Sequence, residues 1–104
     1  MKAVLLVRRR ISLAENAFAE IVIWRVPQPL RGSLHDLKYR LAYVVDGKCV
    51  LRYDNEAGKG DHRHIGDRET TYQFTTVEQL LSDFLSDVER RRDEDAEDQD
   101  RNSR

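Results

Sequence analysis

The pair Asp46-Gly47 constrains this chain more tightly than any other feature. It separates two runs of strand-forming residues, Tyr43-Val44-Val45 and Lys48-Cys49-Val50-Leu51, by two residues. A two-residue hairpin needs positive φ at its centre, which Asp-Gly supplies at little cost, so a type I′ turn is expected. The turn then sets the pairing. Val45 is expected opposite Lys48, Tyr43 opposite Val50, Leu41 opposite Arg52, and Tyr39 opposite Asp54. The other face pairs Val44 with Cys49, Ala42 with Leu51, and Arg40 with Tyr53. Both faces are apolar near the turn and become charged and aromatic toward the open end, where chemistry is expected.

Two further strands are expected over residues 2–11 and 17–26, rich in Val, Ile, Leu, Phe and Trp, with a turn at Ala14-Glu15-Asn16. In the second, Ala17, Ala19, Ile21 and Ile23 share one face, and Phe18, Val22, Trp24 and Val26 share the other, interrupted by Glu20. Val26-Pro27-Gln28-Pro29 ends it, since proline cannot donate to the ladder. Residues 55–66, with three glycines and almost no apolar content, read as a long loop, and a short strand is expected at 70–74. A helix follows. Thr75 and Glu78 form a capping box, and Val77, Leu80, Leu81, Phe84, Leu85 and Val88 make one apolar face.

The expected fold is α+β: an antiparallel sheet of four or five strands, one C-terminal amphipathic helix packed on one face, and a disordered charged tail. Residues 1–88 would form a single domain, and residues 89–104 a frayed tail. One helix covers only part of such a sheet. Apolar surface on the first two strands therefore calls for a partner or for a homodimer through the uncovered face.

Charge is divided unevenly. Residues 1–68 carry 13 Lys+Arg against 8 Asp+Glu, and residues 69–104 carry 5 against 11. A basic body with an acidic end suits a polyanion or a partner of opposite sign. No apolar run approaches the ~20 residues that span a bilayer. The opening run Met1 to Val7 meets Arg8-Arg9-Arg10 where a signal sequence would stay apolar, so a membrane or export role is not expected. The single cysteine, Cys49, reads as a small buried hydrophobe and fits a reducing cytoplasm.

The densest chemistry is Arg52-Tyr53-Asp54-Asn55, followed closely by Lys59, His62, Arg63 and His64. Metal-free cleavage of RNA needs a base at the 2′-oxygen, an acid for the leaving oxygen, and cations around the phosphate. Histidine can act in either protonation state, and arginine and lysine supply the charge. The bland alternative is a solvated polar loop beside an Arg52–Asp54 ion pair. A third reading has His62 and His64 binding a metal with Asp54 and Asp61, but it lacks a firm third ligand. His35, beside Asp36, reads as a surface residue. Arg8 and Arg10 share a face that, with Arg25, Lys38 and Arg40, can make a nucleic-acid surface. Trp24 reads as core. Gly58-Lys59-Gly60 lacks the spacing of a phosphate loop.

Lys38-Tyr39-Arg40, Arg52-Tyr53-Asp54-Asn55, His62-Arg63-His64-Ile65-Gly66 and Thr75-Thr76-Val77-Glu78-Gln79-Leu80 together resemble the TumE-like toxins, over roughly residues 3–88. The resemblance implies a toxin of a type II toxin–antitoxin system, neutralised by a cognate antitoxin that binds DNA. Combined with the reading of the residues, it leads to the expectation of a metal-independent ribonuclease acting on RNA without a cofactor. His62 or His64 would be base or acid, with Tyr53 as alternative proton donor and Asp54 as orienting group. Arg52, Lys59, Arg63, Arg40 and Lys38 would hold phosphate. The alternative is a non-enzymatic module that inhibits by occupying a nucleic-acid or protein target.

Overall fold

The computed structural model describes residues 2–102. Six strands form one antiparallel sheet in chain order: β1 (Val4–Ala14), β2 (Ala17–Arg25), β3 (Leu37–Val45), β4 (Lys48–Glu56), β5 (Gly60–Ile65) and β6 (Arg68–Thr71). One helix follows, α1 (Val77–Asn102). The sheet, through Gln73, and the helix with its lead-in, from Phe74, are two compact units.

The sheet has one strand more than the largest expected number, because residues 55–66 are not a loop. β4 runs on to Glu56, a short turn passes through Gly58, and Gly60–Ile65 return as β5. A strand paired on both edges satisfies its backbone through the ladder and needs no apolar side chains to exist. Polar composition therefore hid it. The final strand is shifted for a related reason, occupying Arg68–Thr71 instead of 70–74.

Alternation sorts the sheet into two faces. Ala17, Ala19, Ile21 and Ile23 on β2 are buried, as are Leu37, Tyr39, Leu41 and Tyr43 on β3, and Leu51, Tyr53 and Asn55 on β4. These side chains share one face, called inner here. Each fully buried Leu or Ile contributes about 1.5–3 kcal/mol. The opposite, outer face carries Phe18, Glu20, Val22 and Trp24 on β2, with Lys38 and Arg40 on β3. Trp24 is thus not a core residue. It is partly exposed and stands in register with Lys38.

The expected hairpin is present. Asp46 has φ 52° and Gly47 φ 76°, the double positive φ of a type I′ turn. Asn16 secures it from the neighbouring turn: its carbonyl accepts from Asp46 N (2.8 Å), and its Nδ2 donates to Asp46 Oδ1 (2.9 Å). In the helix unit, Leu80, Phe84 and Val88 are buried, at the expected i, i+4, i+8 spacing. The cap is one residue later than expected, because Thr76 Oγ1 accepts from Gln79 N at 3.0 Å. The helix continues through residues 89–102, and residues 103–104 of the acidic end lie outside the described residues. No helix among the described residues is long and apolar enough to cross a membrane.

Candidate functional site

The site begins with one extra residue. Val45 pairs with Lys48 and Val44 with Cys49 as expected, but Tyr43 then pairs with Leu51, Ala42 with Arg52, Leu41 with Tyr53 and Arg40 with Asp54. Val50 is a β-bulge, and every expected pair beyond it is displaced by one. The physical reason is burial. Continuing the flush register would put Arg52 and Asp54 on the face of Leu41 and Tyr39 and turn Leu51 and Tyr53 outward. Burying charges without full compensation costs several kcal/mol, whereas one bulge reverses the parity of the strand. Cys49, beside the bulge, is exposed and not buried; its Sγ lies 3.5 Å from Leu51 O.

With that parity set, β4 and β5 bring the polar groups together. Arg52 pairs with His64 and Asp54 with His62, and β6 sets Glu69 opposite His64. Arg52 Nε lies 3.1 Å from Asp54 Oδ2, and Arg52 Nη2 lies 3.2 Å from His64 Nε2. His64 Nε2 is also 3.7 Å from Asp54 Oδ1 and 3.7 Å from Glu69 Oε1. His62 Nδ1 sits 3.3 Å from Glu69 Oε1, and His62 Nε2 is 2.6 Å from the Lys59 carbonyl. Guanidinium can only donate, so His64 accepts at Nε2; a carbonyl can only accept, so His62 donates from Nε2. Two buried nitrogens, Arg52 Nε and His62 Nδ1, have no aligned hydrogen-bond acceptor. Arg40 joins in register beside Asp54.

The Arg52-to-Asn55 motif therefore divides between faces. Tyr53 is fully buried on the inner face, edge-on to Tyr72 with ring centroids 5.0 Å apart, and is not brought to the histidines. Arg63 pairs with Tyr53 and also faces inward. Lys59 contributes its backbone carbonyl from the turn. Asn55 is structural: its Oδ1 accepts from Tyr39 N (2.9 Å) and its Nδ2 donates to Leu37 O (2.7 Å), extending the β3–β4 ladder with a side chain.

The inner face holds a second cluster that the sequence reading missed. His35 is not a surface residue. Its Nε2 donates to Asp61 Oδ2 at 2.8 Å, its Nδ1 accepts from Leu37 N at 3.2 Å, and its ring stacks on Tyr39. Tyr39 OH donates to the same Asp61 oxygen at 2.8 Å. Burial, then the bond to Asp61 and the charge of Asp61, hold the Tyr39 phenol well above its ordinary range. The cluster ties the segment after β2 to the β4–β5 turn. Gly58 N donates to Arg31 O there, and a Cβ on Gly58 would meet the Arg31 side chain at 2.8 Å. A carboxylate opposite Asn55 was the available signal for this cluster, but only with β5 recognised as a strand. Arg25, expected among the nucleic-acid cations, instead lies 3.7 Å from Asp36.

Chemically, the outer cluster offers two imidazoles with different hydrogen-bonding roles, an arginine between them, and two carboxylates that orient all three. Among the described residues, no three His, Cys, Asp or Glu side chains are grouped so as to hold a metal ion. A family model described as Toxin TumE matches residues 3–92. No curated protein and no solved structure matches the chain.

Proposed function

The chain belongs to the TumE toxin family, and from that premise we propose that it is the toxin of a type II toxin–antitoxin pair that cleaves RNA without a metal. The observation that supports this most is the pairing of His62 and His64 around Arg52 on one sheet face, where Arg52 Nε and His62 Nδ1 meet Asp54 and Glu69 as ion pairs without an aligned hydrogen bond. The anionic oxygens of a phosphodiester are suitable acceptors for a guanidinium and a protonated imidazole.

In this reading His64 Nε2, which accepts from Arg52, takes the proton of the RNA 2′-hydroxyl once Arg52 turns to the phosphate. The 2′-oxygen attacks phosphorus, the bond to the 5′-oxygen breaks, and His62 protonates the leaving oxygen. The products are a 2′,3′-cyclic phosphate and a 5′-hydroxyl. Arg52 and Arg40 stabilise the added phosphate charge, and Asp54 orients Arg52 and His64. Tyr53 has no part in this mechanism, because its ring is buried on the other face. The work would take place in the cytoplasm. The cognate antitoxin is the expected partner, and the apolar residues Val4, Leu5 and Leu6, exposed on edge strand β1, offer it or a second copy of the chain a contact surface.

A binding module that inhibits by occupying its target is the competing reading. Growth inhibition separates the two. In a catalyst, His64→Ala abolishes growth arrest while RNA affinity and antitoxin binding stay unchanged. If arrest instead declines only in step with RNA affinity across a series of outer-face variants, the protein is a binder.

A further inference from the structure

The sheet register lines up two rows of residues, of which the ribonuclease reading uses only Arg40. Cross-strand partners share a face, so Leu5, Trp24 and Lys38 form one row across β1–β3, and Arg8, Val22 and Arg40 form the next. These two rows hold three cations and the chain's only tryptophan, with no carboxylate among them. The second row continues through Asp54 to His62. Trp24 thus stands three strands from the histidine strand, roughly 15 Å away at sheet spacing, on the same face. Phe18, the other aromatic of this face, is already covered by the Arg10 guanidinium at 3.7 Å from its centroid.

We infer that this face takes single-stranded RNA, with Trp24 stacking on an unpaired base and Lys38, Arg40 and Arg8 neutralising the neighbouring phosphates. An indole partly exposed amid arginine and lysine combines the two requirements of single-strand binding, a flat π surface and a cationic path for the backbone. Duplex RNA hides its base faces and offers such a platform nothing to stack on. The geometry also gives a direction. A strand anchored on Trp24 runs along Arg40 toward Arg52 and the histidines, which places the scissile phosphate a few nucleotides from the stacked base. This inference rests on the RNA-directed reading of the same face, but it concerns recognition and not chemistry.

Trp24 reports on itself, because no other tryptophan contributes to emission. The full chain is titrated with a short 2′-O-methyl oligoribonucleotide, which lacks the attacking hydroxyl, as a single strand and as a duplex. The expected result is saturable quenching by the single strand, little by the duplex, and weakening as salt rises. Trp24→Ala, with an unchanged circular dichroism spectrum, is expected to lose about tenfold in affinity by anisotropy, and Trp24→Phe to keep part of it. Binding with unchanged Trp24 emission, or equal affinity in Trp24→Ala, overturns the inference. Cleavage of natural RNA in either of those cases leaves the ribonuclease reading standing. Neither binding nor cleavage removes both.

Discussion

Four consecutive residues, Arg52-Tyr53-Asp54-Asn55, perform two different jobs because a strand turns alternate side chains to opposite sides. Arg52 and Asp54 belong to the outer polar cluster, while Tyr53 and Asn55 hold the sheet together from within. Their composition was legible in the sequence, but the division of labour was not, since parity depends on a register that one bulge reverses. Asn55 makes the distinction measurable. Asn55→Ala leaves Tyr39 N and Leu37 O without their partner in a buried setting, and is expected to cost about 1–3 kcal/mol in urea unfolding. The variant should retain the outer histidine geometry at temperatures where it is folded.

Tyr39 makes a prediction about pH. Its phenol is held above the ordinary value of 10.0, chiefly by burial and then by Asp61, so the folded state binds this proton more tightly than the unfolded chain. The resulting stability is fully present below the unfolded pKa and is lost as pH rises beyond it. Thermal melts are expected to show a falling Tm once pH passes about 10. Tyr39→Phe should be less stable at neutral pH by about 1.5–3 kcal/mol, having lost a bond to a carboxylate, and should decline less steeply in alkali. Equal alkaline slopes in the two proteins would contradict the assignment.

At the scale of elements, local signals were readable wherever they carried a mechanism. Asp46-Gly47 specified its turn, the spacing of Leu80, Phe84 and Val88 specified a helix, and Ala17 to Ile23 specified a buried strand face. β5 was not readable, because Asp61-His62-Arg63-His64 shows none of the apolar alternation by which strands are recognised. Its existence is dictated by neighbours on both sides, information that lies outside the segment. The bulge at Val50 is hidden for the same reason: only a comparison of two whole registers reveals that one of them buries two charges. Deleting Val50 tests this. The shortened strand must either break the hairpin or turn Arg52 and Asp54 inward, so cooperative unfolding is expected to be lost. A variant that still unfolds cooperatively, with Leu51 and Tyr53 buried, would show that the bulge does not set the face.

For the whole molecule, the uneven charge seen along the chain acquires a location. Arg8, Arg10, Lys38, Arg40 and Arg52 share the outer face, whereas the helix that follows the sheet carries the acidic excess. A face of this kind concentrates a polyanion before any chemistry, and salt weakens that attraction. The inner face, with its Tyr39, Tyr53 and Asn55, is devoted to stability. In the proposed reading the reacting groups lie on the opposite face, so outer-face substitutions test activity without dismantling the core.

The central claim is that His62 and His64 cleave RNA unaided by metal. Purified protein is incubated with labelled total RNA, with and without EDTA, beside His62→Ala/His64→Ala. The account predicts cleavage that persists in EDTA, leaves 2′,3′-cyclic phosphate ends, and falls by at least about a hundredfold in the double variant. Cleavage that EDTA abolishes, or that the double variant performs as well as the parent, would contradict it.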